Sequence, residues 1–192
     1  MDYENSFDRL EQESLFDESD PYFFRMEDNV PKDPERITHC FFTGHRSLPE
    51  EQKAALLVRM KSTVSYLYAA GVKTFHAGGA LGFDMFVEER VIIARETHPQ
   101  IRLVLFLPCK DQSKNWRDEE QAKYAAVINE ADKILYTTEK YEQGCTLKRN
   151  RQMIDTCSIC VCYMKNKHSG TAYTVRYAKE NGVAVINLAD RI

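Results

Sequence analysis

The stretch His76-Ala77-Gly78-Gly79-Ala80-Leu81-Gly82-Phe83-Asp84 joins an extended segment, 73 to 77, to an amphipathic helical pattern over 82 to 97. Glycines at 78, 79 and 82 let backbone N–H groups turn inward with no Cβ in the way. The new helix adds its free N–H groups and the positive end of its dipole. Such a turn can hold an anion, and a phosphate-bearing ligand is its simplest occupant. It can equally use its glycines for steric relief alone, as many strand-to-helix turns do. A second junction of this kind, Lys167-His168-Ser169-Gly170-Thr171-Ala172-Tyr173, follows the apolar run 157 to 164 and opens the last helical segment. Two anion sockets in one chain point to a nucleotide-like ligand.

Outward from these turns, extended and helical segments alternate. Extended segments are expected over 37–43, 73–77, 101–107, 132–137, 157–164 and 183–188, and helices over 49–70, 82–97, 117–130, 146–156 and 170–181. In the first helix Leu57, Met60, Val64 and Leu67 recur at three- and four-residue steps and define an apolar face. The run Arg102-Leu103-Val104-Leu105-Phe106-Leu107 is continuously apolar, the pattern of a parallel strand covered on both faces. The predicted fold, over 37–192, is α/β: a Rossmann-like, doubly wound, mostly parallel sheet of about six strands with right-handed crossovers. Ligands of such sheets bind beyond the carboxyl ends of the strands, where strand order reverses.

Residues 1 to 36 differ in kind. They carry twelve acidic and four basic side chains, a balance of −8, which leaves +5 on the remainder of a chain whose formal charge is −3. Lacking sustained periodicity and ending in Pro31-Lys32-Asp33-Pro34, this segment is predicted to be a disordered acidic tail. Phe7, Leu10, Leu15, Phe16, Tyr22, Phe23, Phe24 and Met26 lie among its carboxylates. That pattern can dock on a protein partner, fold back over the basic domain, or do neither. In the second case the tail competes with an anionic ligand. The basic remainder suits anionic ligands, from nucleotides to nucleic acid.

Cysteines at 40, 109, 145, 157, 160 and 162 lack the spacing of a disulfide framework, which fits a reducing cytoplasm. Cys157 and Cys160 form a C-x-x-C, but the run that follows reads as a buried strand, where cysteine behaves as a small hydrophobe. No metal site and no required cofactor are expected. With no signal peptide, and no stretch of the roughly 18 apolar residues a membrane span needs, a soluble cytoplasmic protein without membrane contact is expected.

In the predicted sheet every strand's exit loop faces one crevice. Thr43-Gly44-His45-Arg46 follows the first strand, where Arg46 can fork onto a phosphate and His45 can donate or exchange a proton. Asp84, in the first turn of its helix, can hold the glycine loop, bind a ribose hydroxyl or simply cap. Asn115 and Trp116 close the loop after the third strand, and Trp116 either stacks on a ring or packs as a lid on the next helix. In Lys148-Arg149-Asn150-Arg151-Gln152-Met153-Ile154-Asp155, residues 148 and 151 share a helix face, while Arg149 lies on the row of Met153. One of these cations can reach the crevice. Ser169 has no glycine elbow around it and no evident His/Asp partners, which argues against a hydrolase nucleophile.

T-G-H-R at 43–46, G-G-A-L-G-F-D at 78–84, N-W at 115–116, K-R-N-R-Q-M-I-D at 148–155 and S-G-T-A-Y at 169–173 resemble the SLOG superfamily, and within it the YpsA-like branch. The resemblance covers about 37 to 190 and leaves the acidic tail outside. The superfamily also holds the DNA-processing protein DprA and the "lonely guy" phosphoribohydrolases. The resemblance implies a pocket for a nucleotide-derived ligand such as ADP-ribose or an NAD-related molecule, with a role in bacterial stress or cell-division control. The phosphoribohydrolases carry P-G-G-x-G-T-x-E-E, with an upstream Arg and Met that Arg149 or Arg151 and Met153 loosely match. Here Ala172 and Tyr173 stand in the region of the acidic pair, so the carboxylate that assists N-glycosidic cleavage is missing unless Asp84 or Asp155 replaces it.

The reading is therefore a sensor or regulatory domain. Gly44, His45, Arg46, Gly78, Gly79, Gly82, Asp84, Asn115, Trp116, Arg149, Arg151, Ser169, Gly170 and Thr171 are its candidate ligand-binding residues. A nucleotide N-glycosidase and a single-stranded-DNA binder of the DprA kind are the alternatives.

Overall fold

The structure, a computed structural model, describes residues 34–191, and side chains from Arg36 to Asp190. The tail expected over 1–36 thus lies outside the described residues except for its last three. Those do not lead straight into a strand. Pro34–Ile37 forms a single helical turn, α1, for which a proline at the first helical position is well suited. Arg36 ties the turn to the domain, its guanidinium donating to the carbonyls of Cys157 (2.7 Å from Nη2) and Ile154 (3.2 Å).

Six strands follow, β1 (His39–Gly44), β2 (Thr74–Ala77), β3 (Arg102–Cys109), β4 (Lys133–Thr138), β5 (Ile159–Tyr163) and β6 (Ala184–Asn187). The helices between them are α2 (Glu50–Ala69), α3 (Phe83–Ala94), α4 (Asp118–Glu130), α5 (Cys145–Asp155) and α6 (Gly170–Glu180). Every strand pair is parallel and the order is β4-β3-β2-β1-β5-β6. This is the predicted doubly wound α/β sheet. The chain steps outward from β1 to β4, and α5 then carries it back across the sheet to β5 on the other side of β1. Strand order reverses between β1 and β5.

The apolar strands are sandwiched between two cores. On one side Cys40, Phe42, Leu103 and Leu105 meet Leu56, Met60, Val64 and Leu67 of α2, Val87 of α3 and Val127 of α4. On the other, Phe41, Phe106, Cys160 and Cys162 meet Met153 and Ile154 of α5 and Val175 and Ala178 of α6. Neighbouring strand residues thus bury to opposite faces, and this is why these strands read as unbroken apolar runs. One expectation fails in detail. The α2 face is built on Leu56, which is fully buried, and not on Leu57, because steps of four, four and three from residue 56 keep one stripe aligned. All six cysteines are free and buried, as core packing requires.

Candidate functional site

The parallel register brings Gly44 opposite Tyr163, so the exit loops of β1 and β5 leave side by side. They are fastened at once. His45 Nε2 accepts the N–H of Lys165 at 2.9 Å and of Asn166 at 3.3 Å. That geometry requires a neutral imidazole with its proton on Nδ1, and partial burial, which lowers the His45 pKa, favours the same form. His45 is thus the strap of the switch point. Arg46, beside it, is exposed. Its positive charge acts on both Asp84 and Arg149.

The β2 exit approaches from the other side, and its glycines are needed for contact. Gly82 has φ +86°, and a Cβ there would fall 2.3 Å from the carbonyl carbon of Arg46. Phe83 N–H donates to the His45 carbonyl at 3.0 Å, so the two loops are joined through their backbones. Gly44 is held against Phe83 in the same way, since a Cβ there would fall 2.4 Å from Phe83 Cβ and Cγ. At Gly78 a Cβ would sit 1.4 Å from Arg149 Nη1 and 2.6 Å from Asp84 Oδ2. This glycine makes room for a guanidinium of the protein itself.

The N–H groups of this turn point into the protein. Gly79 N–H donates to Glu88 Oε1 at 2.8 Å, and the N–H groups of Gly78 and Ala80 hold the Asp84 carboxyl. Asp84 and Glu88 stand one helical turn apart on α3, and both are buried. Arg149, buried on α5 across the sheet, donates from Nη1 to the Phe106 carbonyl at 3.1 Å and lies 3.9 Å from Asp84 Oδ2. Burial raises the Asp84 pKa to about 6, against the pull of Arg149 and the backbone donors. Burial and then the neighbouring Asp84 charge push Glu88 to about 8. The arginine is lowered by the same burial and held up by the two acids. Glu88 Oε2 and Arg149 Nε have no hydrogen-bond partner among the described residues. Sequence reading missed Glu88. The available signal is an acid four residues from Asp84, between Val87 and Val91 on the buried side of α3.

The loop after β3 closes over this cluster. Gln112 Nε2 donates to the Gly79 carbonyl at 2.6 Å. Trp116 meets Tyr124 of α4 edge-on, ring centroids 5.2 Å apart, which is the lid arrangement, while Asn115 beside it is exposed. Arg151 is exposed on α5 and donates to the Tyr173 hydroxyl at 2.7 Å, bridging α5 to α6. Of the three cations expected near the crevice, Arg149 is the one that turns inward, with Cys145 and Met153 buried on its row.

At the second junction no carboxylate among the described residues takes the first helical N–H groups. Ser169 caps α6, its Oγ accepting the N–H of Ala172 at 3.1 Å and donating to the Asn166 carbonyl at 2.8 Å. The N–H groups of Gly170 and Thr171 have no partner among the described residues, and the space beside Gly170 is open. Lys165 and Lys167 are exposed in the preceding loop. An anion placed here would meet two backbone donors and a helix dipole.

Among the described residues no cluster of three or more His, Cys, Asp or Glu side chains is placed to hold a metal, and no helix is long and apolar enough to cross a membrane.

The fold defines the class, a Rossmann-like α/β domain whose strand order reverses at β1/β5. The YpsA family model, described as the YspA SLOG family, matches residues 41–185, and the chain belongs to that family. A UPF0398 protein of Halalkalibacterium halodurans is 27% identical over 143 residues, 73% of each chain. The SPbeta prophage-derived protein YoqJ of Bacillus subtilis is 30% identical over 118 residues, 55% of this chain and 69% of that one. Among solved structures, DNA processing protein A of Streptococcus pneumoniae superposes with TM-score 0.57 at 14% identity, covering 77% of this chain. The chain spans about half of that protein, 48%. The Helicobacter pylori protein of the same name superposes with TM-score 0.54 at 19% identity, covering 80% of this chain and 67% of that one, and is described for its single-stranded DNA binding mode. At these identities the likeness shows the shared fold.

Proposed function

We propose that the chain binds a phosphate-bearing, nucleotide-derived ligand at the switch point, as a sensor or regulatory domain of the bacterial cytoplasm. The observation that carries this reading is the pair of open N–H groups at Gly170 and Thr171, at the start of an eleven-residue helix and beside a basic loop. Arg46 supplies an exposed cation for the phosphate. Gly44, Gly78 and Gly82 shape the crevice, and Gly79 anchors the inner cluster, because the donors of the first turn are engaged by Asp84 and Glu88. Asp84, buried and held by backbone, suits a supporting role better than attack on a glycosidic bond. Calorimetric titration with ADP-ribose, with the spent mixture checked for free base and ribose phosphate, tests the reading. Saturable heat with intact ligand supports a sensor. Released product replaces that with an N-glycosidase, and the absence of heat rejects this ligand class.

A second reading, binding of single-stranded DNA, is favoured by the structural likeness to the DprA proteins and by the exposed lysines of the β5 exit loop. Its mark is an oligonucleotide affinity that falls steeply as salt is added.

A further inference from the structure

We propose that the acidic segment around Phe16–Phe24 docks in cis into a lysine-rimmed groove along the outer flank of α6. The groove, about 670 Å³, has an apolar floor that includes Met164, Val175 and Val185, with Lys165, Lys167 and Lys179 at its edge. Met164 and Val185 are the half-covered margin of the core beneath α5 and α6. All three lysines are exposed, and none joins an ion pair among the described residues. Asp190, the acid at the groove's end, is engaged by Asn187 Nδ2 at 2.6 Å. The surface asks for apolar side chains flanked by carboxylates.

The chain contains that complement. Phe16-Asp17-Glu18-Ser19-Asp20-Pro21-Tyr22-Phe23-Phe24 carries three acids between aromatic groups, and no base. The place where the chain enters the domain supports docking in cis. Arg36 is fixed to the carbonyls of Ile154 and Cys157 at the end of α5, and α5 covers the same face of the sheet as α6. Twelve residues lead from Phe24 to Arg36, a reach of up to about 40 Å, which is ample for a groove on that face. A tether of this length presents the segment at an effective concentration in the millimolar range, so a weak contact suffices. The docked segment would cover Lys165 and Lys167, next to the open end of α6, yet docking does not depend on what that end binds.

Carbodiimide cross-linking of the full chain, followed by peptide mapping of the monomer band, tests the proposal. Lys165, Lys167 and Lys179 are expected to couple to Asp17, Glu18 and Asp20 roughly fivefold more often than the exposed Lys61 or Lys148 do, and 1 M salt is expected to abolish the preference. A second measurement leaves the domain untouched. Changing Phe16→Ser, Tyr22→Ser and Phe23→Ser together should speed amide hydrogen exchange in residues 183–189. Cross-links spread evenly over the lysines, cross-links only between chains, or exchange unchanged in the triple variant would each overturn docking in cis.

Discussion

The two glycine junctions look alike as strings, each a run of small residues between an extended segment and a helix, but the molecule fills one of them and leaves the other open. At Gly78–Asp84 the donors are taken by carboxylates from the helix they introduce, and an arginine from across the sheet lies where a side chain at residue 78 would be. At Ser169–Tyr173 a serine caps one donor, and those of Gly170 and Thr171 remain without partners among the described residues. The difference teaches that glycine content marks where backbone can be approached, while the acids one helical turn further on decide what approaches it. In the first junction Glu88 sits in the buried stripe, and in the second the corresponding turn holds Thr174 and Val175.

The contrast breaks most visibly at the inner cluster. Arg149→Ala strands two buried acids and should destabilise the protein by about 3–5 kcal/mol, read from the urea midpoint. Gly78→Ala should act in the same direction, since it displaces the guanidinium, whereas Gly170→Ala should leave the midpoint nearly unchanged. Equal effects of the two glycine substitutions would erase the distinction. Next in size is ligand affinity. If the second junction and Arg46 form the anion site, Arg46→Ala weakens a phosphate-bearing ligand by about 1.5–3 kcal/mol, and an unchanged calorimetric affinity removes Arg46 from it.

The acids also make the filled junction pH-dependent. Asp84 and Glu88 bind their protons more tightly folded than unfolded, so this contribution to stability is complete below their ordinary values and is lost as pH rises through about 8 for Glu88. His76 and His45, which burial keeps neutral, act on stability below this range. The wild type should therefore lose a few degrees of Tm between about pH 6.5 and pH 8.5, and Glu88→Gln, which keeps an acceptor for Gly79 N–H, should flatten that slope. A slope that persists in the variant would assign the titration elsewhere. The smallest effect belongs to the open junction. Ser169→Ala removes a cap and should cost about 1 kcal/mol, with no change in the pH profile.

Strand and helix positions were legible because period and turn chemistry agree. The predicted bounds of β2 and α4 differ from the observed ones by a single residue at one end. Leu56 and Leu57 could not be told apart by spacing alone, since both suit a three- or four-residue step to Met60. Arg149 was half legible, because Cys145 and Met153 place it on an apolar row, yet a guanidinium in that position reads first as a solvated cation. Asp84 was readable as a group able to hold the glycine loop, but the pairing of Glu88 with that turn was hidden, since it depends on a backbone that folds inward at positive φ, with +63° at Gly79 and +86° at Gly82. The role of His45 depended on β1 and β5 being neighbours, which their separation in the chain conceals.

The six thiols bear on how this protein can be handled. Each is enclosed in the core, with 3% or less of the residue exposed, and burial drives the Cys40, Cys157 and Cys160 thiols well up, away from the reactive thiolate. The folded chain therefore presents a chemically silent exterior to maleimides and other soft electrophiles. A single cysteine placed on the surface should take a fluorophore or spin label selectively without removal of the native six, and any labelling of the parent protein would report transient opening of the fold.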